Sequence, residues 1–222
     1  MLREVWPIAL LLACDVLLRR AGILFLSLVR PLNDVAVYGA AIKVIDMLGL
    51  MTTSLTGALL PHLASTWELQ IKAGWRAYRY SLRYFILLSL GLTAGTFVLA
   101  RPLVVLLLGA SYAESMVPLQ ILLLSFLLNF VGGPMGALLL VSRDQLVAFV
   151  PKAMFVTTLN IVASVWLLPR FGYLAASWIA VASAAGFLLF KNGAISRLAD
   201  DSIPWLTFLA RPLAAALGMA SA

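Results

Sequence analysis

Residues 118–141, PLQILLLSFLLNFVGGPMGALLLV, form an apolar run of 24 residues without a charged side chain. A helix needs about 20 apolar residues to cross the hydrocarbon core of a bilayer. The strands of a membrane barrel are only about ten residues long and alternate apolar with polar positions, which this run does not. The stretch therefore predicts a transmembrane helix.

The composition of the whole chain is that of a membrane protein. Of its 222 residues, 63% are hydrophobic and 11% are charged, and the mean hydropathy is +1.03. A soluble domain is roughly half apolar and about a quarter charged. The net charge of +7 comes from Lys and Arg residues that are spread between apolar runs and form no continuous basic face, so nucleic-acid binding is not indicated.

Apolar runs broken by charge, Pro or Gly predict about six transmembrane helices and a truncated seventh. They lie at residues 5–29, 36–61, 82–100, 118–141, 147–168 and 172–190, with the truncated helix at 206–222. We therefore predict an all-α polytopic helix bundle that forms one membrane domain over residues 1–222. Only about ten residues follow Arg211, half of a crossing, so we expect a fragment or one half of a split protein.

The Lys and Arg residues between the predicted spans indicate the orientation. With a cytoplasmic N-terminus, ten cations lie inside and three outside, in agreement with the positive-inside rule. The inside set is Arg3, Lys72, Arg76, Arg79, Arg83, Arg143, Lys152, Lys191, Arg197 and Arg211, and the outside set is Arg30, Arg101 and Arg170. Segment 66–83 is amphipathic and rich in Trp and Tyr, which predicts a cytoplasmic interfacial helix; a solvated loop is the alternative.

Charged residues stand inside the first two predicted spans. Asp15 and Arg19 are four residues apart and share one helix face with Arg20 nearby, while Lys43 and Asp46 share a face of the second span. Such side chains should face protein or a water-filled cavity. They are either ion pairs that hold helices together or the wall of a cavity. In a cavity, the positive surplus of Arg19, Arg20 and Lys43 suits a phosphate or pyrophosphate, and an Asp for cation coupling is a third option.

The fourth span carries helix-weakening residues near its middle. Pro134 removes a backbone donor, and Gly132 and Gly133 loosen the helix, which predicts a kink, a break or a hinge. In transporters such breaks expose backbone groups to a cavity, but a passive packing kink fits the same residues. Asn160 in the fifth span is expected to hydrogen-bond to a neighbouring helix.

No set of side chains in the sequence indicates catalysis or a bound metal. The single cysteine, Cys14, lies in an apolar run, and the single histidine, His62, has no Cys or second His with which to hold a metal. A Gly-rich phosphate loop and a Ser nucleophile elbow are also missing from the sequence. We therefore predict neither an enzyme nor a cofactor.

The order of several short motifs resembles the C-terminal half of polysaccharide and oligosaccharide-lipid flippases, within the multidrug/oligosaccharidyl-lipid/polysaccharide exporter superfamily. The motifs are Y-x-x-A at Tyr38 to Ala41, a helix-ending Pro61, G-x-x-Y at Gly109 to Tyr112, and Asn160 followed by L-P-x-F-G at Leu168 to Gly172. Each motif is short, and their order and spacing together carry the resemblance.

The resemblance implies one of two six-helix lobes around a central cavity that opens alternately to the two sides of the bacterial cytoplasmic membrane. The substrate would be an undecaprenyl-diphosphate-linked oligosaccharide, with Arg19, Arg20 and Lys43 at its anionic headgroup. Membrane lipids and a missing N-terminal lobe would be the other partners. The alternatives are a cation-coupled multidrug exporter of the same superfamily and a non-transporting membrane scaffold or remnant in a polysaccharide gene cluster.

Overall fold

Six α-helices account for nearly all of residues 2–196, which are the residues described by this computed structural model. Within that range the chain contains no strand, so the all-α class is confirmed. The elements are α1 (Leu2–Val29), α2 (Leu32–Leu69), α3 (Ile71–Val98), α4 (Ala100–Leu108), a 3₁₀ turn (Ala110–Ser115), α5 (Met116–Val141) and α6 (Arg143–Ile195). The predicted truncated helix at 206–222 lies outside the described residues.

Four helical stretches in the described part are long and apolar enough to cross a membrane. They are Leu32–Trp67, Ile71–Val98, Ala110–Val141 and Gln145–Ile195. Helix α1 is also 28 residues long, but any 18 consecutive residues in it include at least three charged ones. The helical character of the predicted spans is thus confirmed, whereas a count of six or seven crossings remains a prediction.

Helix α6 is 53 residues long and changes direction at Gly172. This glycine has φ +60° and ψ −142°, a conformation outside the helical region that side chains disfavour. It divides α6 into two arms, 143–171 and 173–195, which correspond to the predicted fifth and sixth spans. Arg30, just after α1, donates to the carbonyl oxygens of Leu168 (3.3 Å) and Arg170 (2.9 Å) beside this break.

Helix α5 is the centre of the bundle, because it packs against α2, α3 and α6. Its apolar run is largely buried, with Phe130, Met135 and Leu138 fully enclosed. Helix α1 packs mainly along α6. Association of helices in a bilayer depends on close packing, since lipid tails are as apolar as the helix surfaces.

The predicted interfacial segment 66–83 is not a separate element in the structure. Gln70 is extended and separates α2 from α3, and α3 then continues as one helix through the predicted third span. Trp67 and Trp75 pack across this turn with ring centres 5.6 Å apart. Tyr78 is fully buried, whereas Tyr80 is 60% exposed, so only some of the aromatic residues face outward.

Candidate functional site

Asp15 and Arg19 form an ion pair along α1. The Nε of Arg19 donates to Oδ2 of Asp15 at 2.8 Å, as the spacing of four residues predicts. About half of each side chain is exposed, 51% for Arg19 and 55% for Asp15. The carboxylate is therefore neutralised locally, but the pair is open to whatever lies next to this face of α1.

Asp46 pairs with Arg20 of α1 instead of with Lys43 on its own helix. Nη1 of Arg20 lies 3.5 Å from Oδ2 of Asp46, with 55% and 43% of the two side chains exposed. Lys43 is exposed, and it has no ion-pair partner among the described residues. Four of the five predicted charged residues thus form two half-exposed ion pairs whose arginines are consecutive on α1. Lys43 lines a groove of about 370 Å³ together with Gly39, Leu108 and Tyr112.

We call Asp15, Arg19, Arg20 and Asp46 the charged face. At 1.5 Å per residue, Asp15 lies about 20 Å from either end of α1, and Asp46 lies about 21 Å from the start of α2. The surface around it is apolar and exposed, and includes Leu12, Val16, Leu17, Met47 and Leu50. The charged face is therefore a polar patch at mid-helix depth within an otherwise apolar surface.

Lys191, which the sequence places among the loop cations of the cytoplasmic side, contacts a neighbouring helix in the structure. Its Nζ donates to the carbonyl oxygen of Gly132 on α5 at 3.3 Å, nine residues before α5 ends. A Cβ on Gly132 or Gly136 would lie 3.5 or 3.6 Å from this Nζ, so the ammonium lies against the glycine face of α5. Gly132 and Gly136 form a G-x-x-x-G pattern, a sequence signal that could have indicated a close approach here.

Helix α5 continues through Gly132, Gly133 and Pro134, and φ stays negative at all three residues. The break expected at these residues is therefore not present in this conformation, and a hinge during transport remains a prediction. Gly133 instead allows close packing, since a Cβ there would lie 2.7 Å from Thr56 Oγ1 and 3.2 Å from Phe85 Cε1.

Asn160 joins the two arms of α6. Its Nδ2 donates to Ser183 Oγ at 2.7 Å, which confirms the expected hydrogen bond between helices. Cys14 is buried and His62 is exposed. Among the described residues, no group of three His, Cys, Asp or Glu side chains is placed to hold a metal ion.

Comparison with known proteins gives no relative that could assign a function to the charged face. No family model matches the chain, and no curated protein matches it. The resemblance to flippases therefore remains an interpretation of the motifs.

Proposed function

We propose that this chain is one lobe of a membrane transporter that moves an anionic, undecaprenyl-diphosphate-linked oligosaccharide across the bacterial cytoplasmic membrane. The observation that supports this best is the half-exposed charged face at mid-helix depth. A charge at the centre of a bilayer costs about 2.5–3.5 kcal/mol on insertion scales, so such residues face protein or water. A second lobe across a water-filled cavity would meet that requirement.

The signs of the charges favour an anionic substrate. Both carboxylates of the charged face already have an Arg partner, at 2.8 Å for Asp15 and 3.5 Å for Asp46. Lys43 on the neighbouring surface adds a cation without a carboxylate partner among the described residues. Arg side chains bind phosphate through paired donors, so Arg19 and Arg20 are suited to a diphosphate. A cation-coupled drug exporter would need an acidic group that is not already neutralised.

Deletion of the gene in its own host tests the function directly. We expect loss of surface polysaccharide and accumulation of lipid-linked oligosaccharide on the cytoplasmic side. If export continues and only drug susceptibility rises, the multidrug alternative replaces the proposal. Normal export together with normal drug susceptibility would contradict both forms of transport.

Substitutions in the restored gene then test the charged face. Arg19→Gln and Arg20→Gln should each reduce export about tenfold or more, because each removes a charge-assisted contact of about 1.5–3 kcal/mol. Arg101→Gln is the matched control, since Arg101 is exposed on α4 and lies outside the charged face. Wild-type export in both variants, with export lost in the deletion, would support the scaffold alternative instead.

A further inference from the structure

Lys191 has hydrogen-bond donors that the described part of the protein does not use. A lysine ammonium carries three N–H donors. The bond to the Gly132 carbonyl uses one of them, and no other described group accepts from Nζ. The side chain is half-buried among apolar helices, where an unmade hydrogen bond of a charged group is costly. Two of its donors are therefore available to a ligand with oxygen acceptors.

The two small residues of α5 leave space beside this ammonium. Gly132 and Gly136 lie one helical turn apart on one face, and both face Nζ at 3.5–3.6 Å from where a Cβ would be. These are ordinary van der Waals distances, so an alanine would fit at position 136 without a clash. It would, however, occupy the space next to the ammonium.

The charges that act on Lys191 leave a positive surplus. Helix α1 packs along α6, and Asp15 and Arg19 on α1 act electrostatically on the Lys191 ammonium. Asp15 already accepts a hydrogen bond from Arg19 at 2.8 Å. Lys191 itself has no carboxylate partner among the described residues, so the three groups together carry one net positive charge. An anion with several oxygen acceptors would satisfy both the surplus charge and the unused donors.

We propose that Lys191 is a further substrate-binding residue, and that with Arg19 it binds the phosphate groups of the anionic headgroup. This inference rests on the proposed function and adds a binding group to the same site. The substrate would then contact α1 and the second arm of α6 at once, with Gly136 providing room for the phosphate oxygens.

Binding of farnesyl diphosphate to the purified chain in detergent micelles tests the proposal, with farnesol as the uncharged probe. Lys191→Gln should weaken binding of the diphosphate about tenfold or more and leave farnesol unchanged. Lys191→Arg should retain most of the affinity, because it keeps the charge. Lys152→Gln, a half-buried lysine in the other arm of α6, is the matched control and should bind as the wild type does.

A second variant covers the case in which Lys191→Gln does not fold. Gly136→Ala keeps every charge and replaces a helical glycine by a better helix former, so its melting temperature should equal or exceed that of the wild type. Its affinity for farnesyl diphosphate should nevertheless fall several-fold.

The role of Lys191 is overturned if folded Lys191→Gln, or Gly136→Ala, binds farnesyl diphosphate within twofold of the wild-type affinity. It is also overturned if the wild-type chain does not bind the diphosphate. Export in cells separates this failure from that of the proposed function. If Arg19→Gln abolishes export and Lys191→Gln does not, the proposed transport function is retained and only the binding role of Lys191 is rejected.

Discussion

Arg20 of α1 and Asp46 of α2 form an ion pair between helices, with 3.5 Å between Nη1 and Oδ2. The pair joins two helices whose main packing partners are elsewhere, since α1 packs along α6 and α2 along α5. Asp46 therefore pairs with Arg20 and not with Lys43, its neighbour on the same helix. Of the charged residues predicted in α1 and α2, Lys43 is therefore the cation without a carboxylate partner among the described residues, in addition to Lys191 on α6.

A double-mutant cycle on Arg20→Ala and Asp46→Ala measures the environment of this pair. Both side chains are about half exposed, so the coupling free energy of unfolding in detergent should be below about 1 kcal/mol. Thermal unfolding of the four proteins gives the value. A cycle that combines Arg101→Ala with Asp46→Ala is the control and should show no coupling. A coupling of several kcal/mol would mean that the pair is enclosed and does not line a cavity.

The helices could be predicted from the sequence because their signals are local. Continuous apolar runs predict the helices, and Pro169 with Gly172 indicates the boundary between the two arms of α6. The cytoplasmic interfacial location of segment 66–83 stays a prediction, whereas its division between two helices could not be predicted from the sequence. Its amphipathic pattern is real, but nothing in the pattern shows that a single extended residue, Gln70, divides it between two long helices.

The pairing of charges across helices could not be predicted, because it depends on how the helices pack. The four-residue spacing along α1 correctly predicts the ion pair between Asp15 and Arg19. The same rule predicts an ion pair between Lys43 and Asp46, whereas the Arg20 side chain of α1 reaches the Asp46 carboxylate instead. Lys191 lies near the end of an apolar run, a position that predicts a loop cation. Its contact with Gly132, 59 residues away, becomes visible only in three dimensions.

Gly172→Ala should destabilise the fold by about 1–3 kcal/mol, because φ +60° with ψ −142° is strained for any residue with a Cβ. The new Cβ would also lie 3.2 Å from Asp34 Oδ2. We expect a lower melting temperature in detergent. Gly193→Ala, in the same helix with nothing within 4 Å of its Cβ, is the control and should be neutral or stabilising. Equal melting of Gly172→Ala and wild type would contradict the break in α6.

Gly133→Ala should cost about 1–3 kcal/mol through overpacking between α5, α2 and α3. The added Cβ would meet Thr56 Oγ1 at 2.7 Å. That hydroxyl is buried without a hydrogen-bond partner among the described residues, so Thr56→Ala removes the obstacle at little cost and should restore part of the stability. Thermal unfolding of the single and double variants measures this. If Thr56→Ala does not restore stability, the contact with Thr56 is not the cause of the loss. Gly91→Ala is the control, because its Cβ would have open space around it.

Arg30→Ala should lower stability by about 1–2 kcal/mol, because the break at Gly172 leaves carbonyl groups at the end of the first arm without helical donors. Arg30 supplies donors to two of them, Nε to Leu168 and Nη2 to Arg170. Arg30→Lys should recover less than half of the loss, since a single ammonium cannot reproduce the geometry of two guanidinium donors. Thermal unfolding in detergent measures both variants. Arg170→Ala is the control, because its guanidinium lies over the exposed Trp166 ring, at 4.8 Å, and its loss should cost less than Arg30→Ala. Full recovery in Arg30→Lys would show that charge alone, and not the paired donors, stabilises the break.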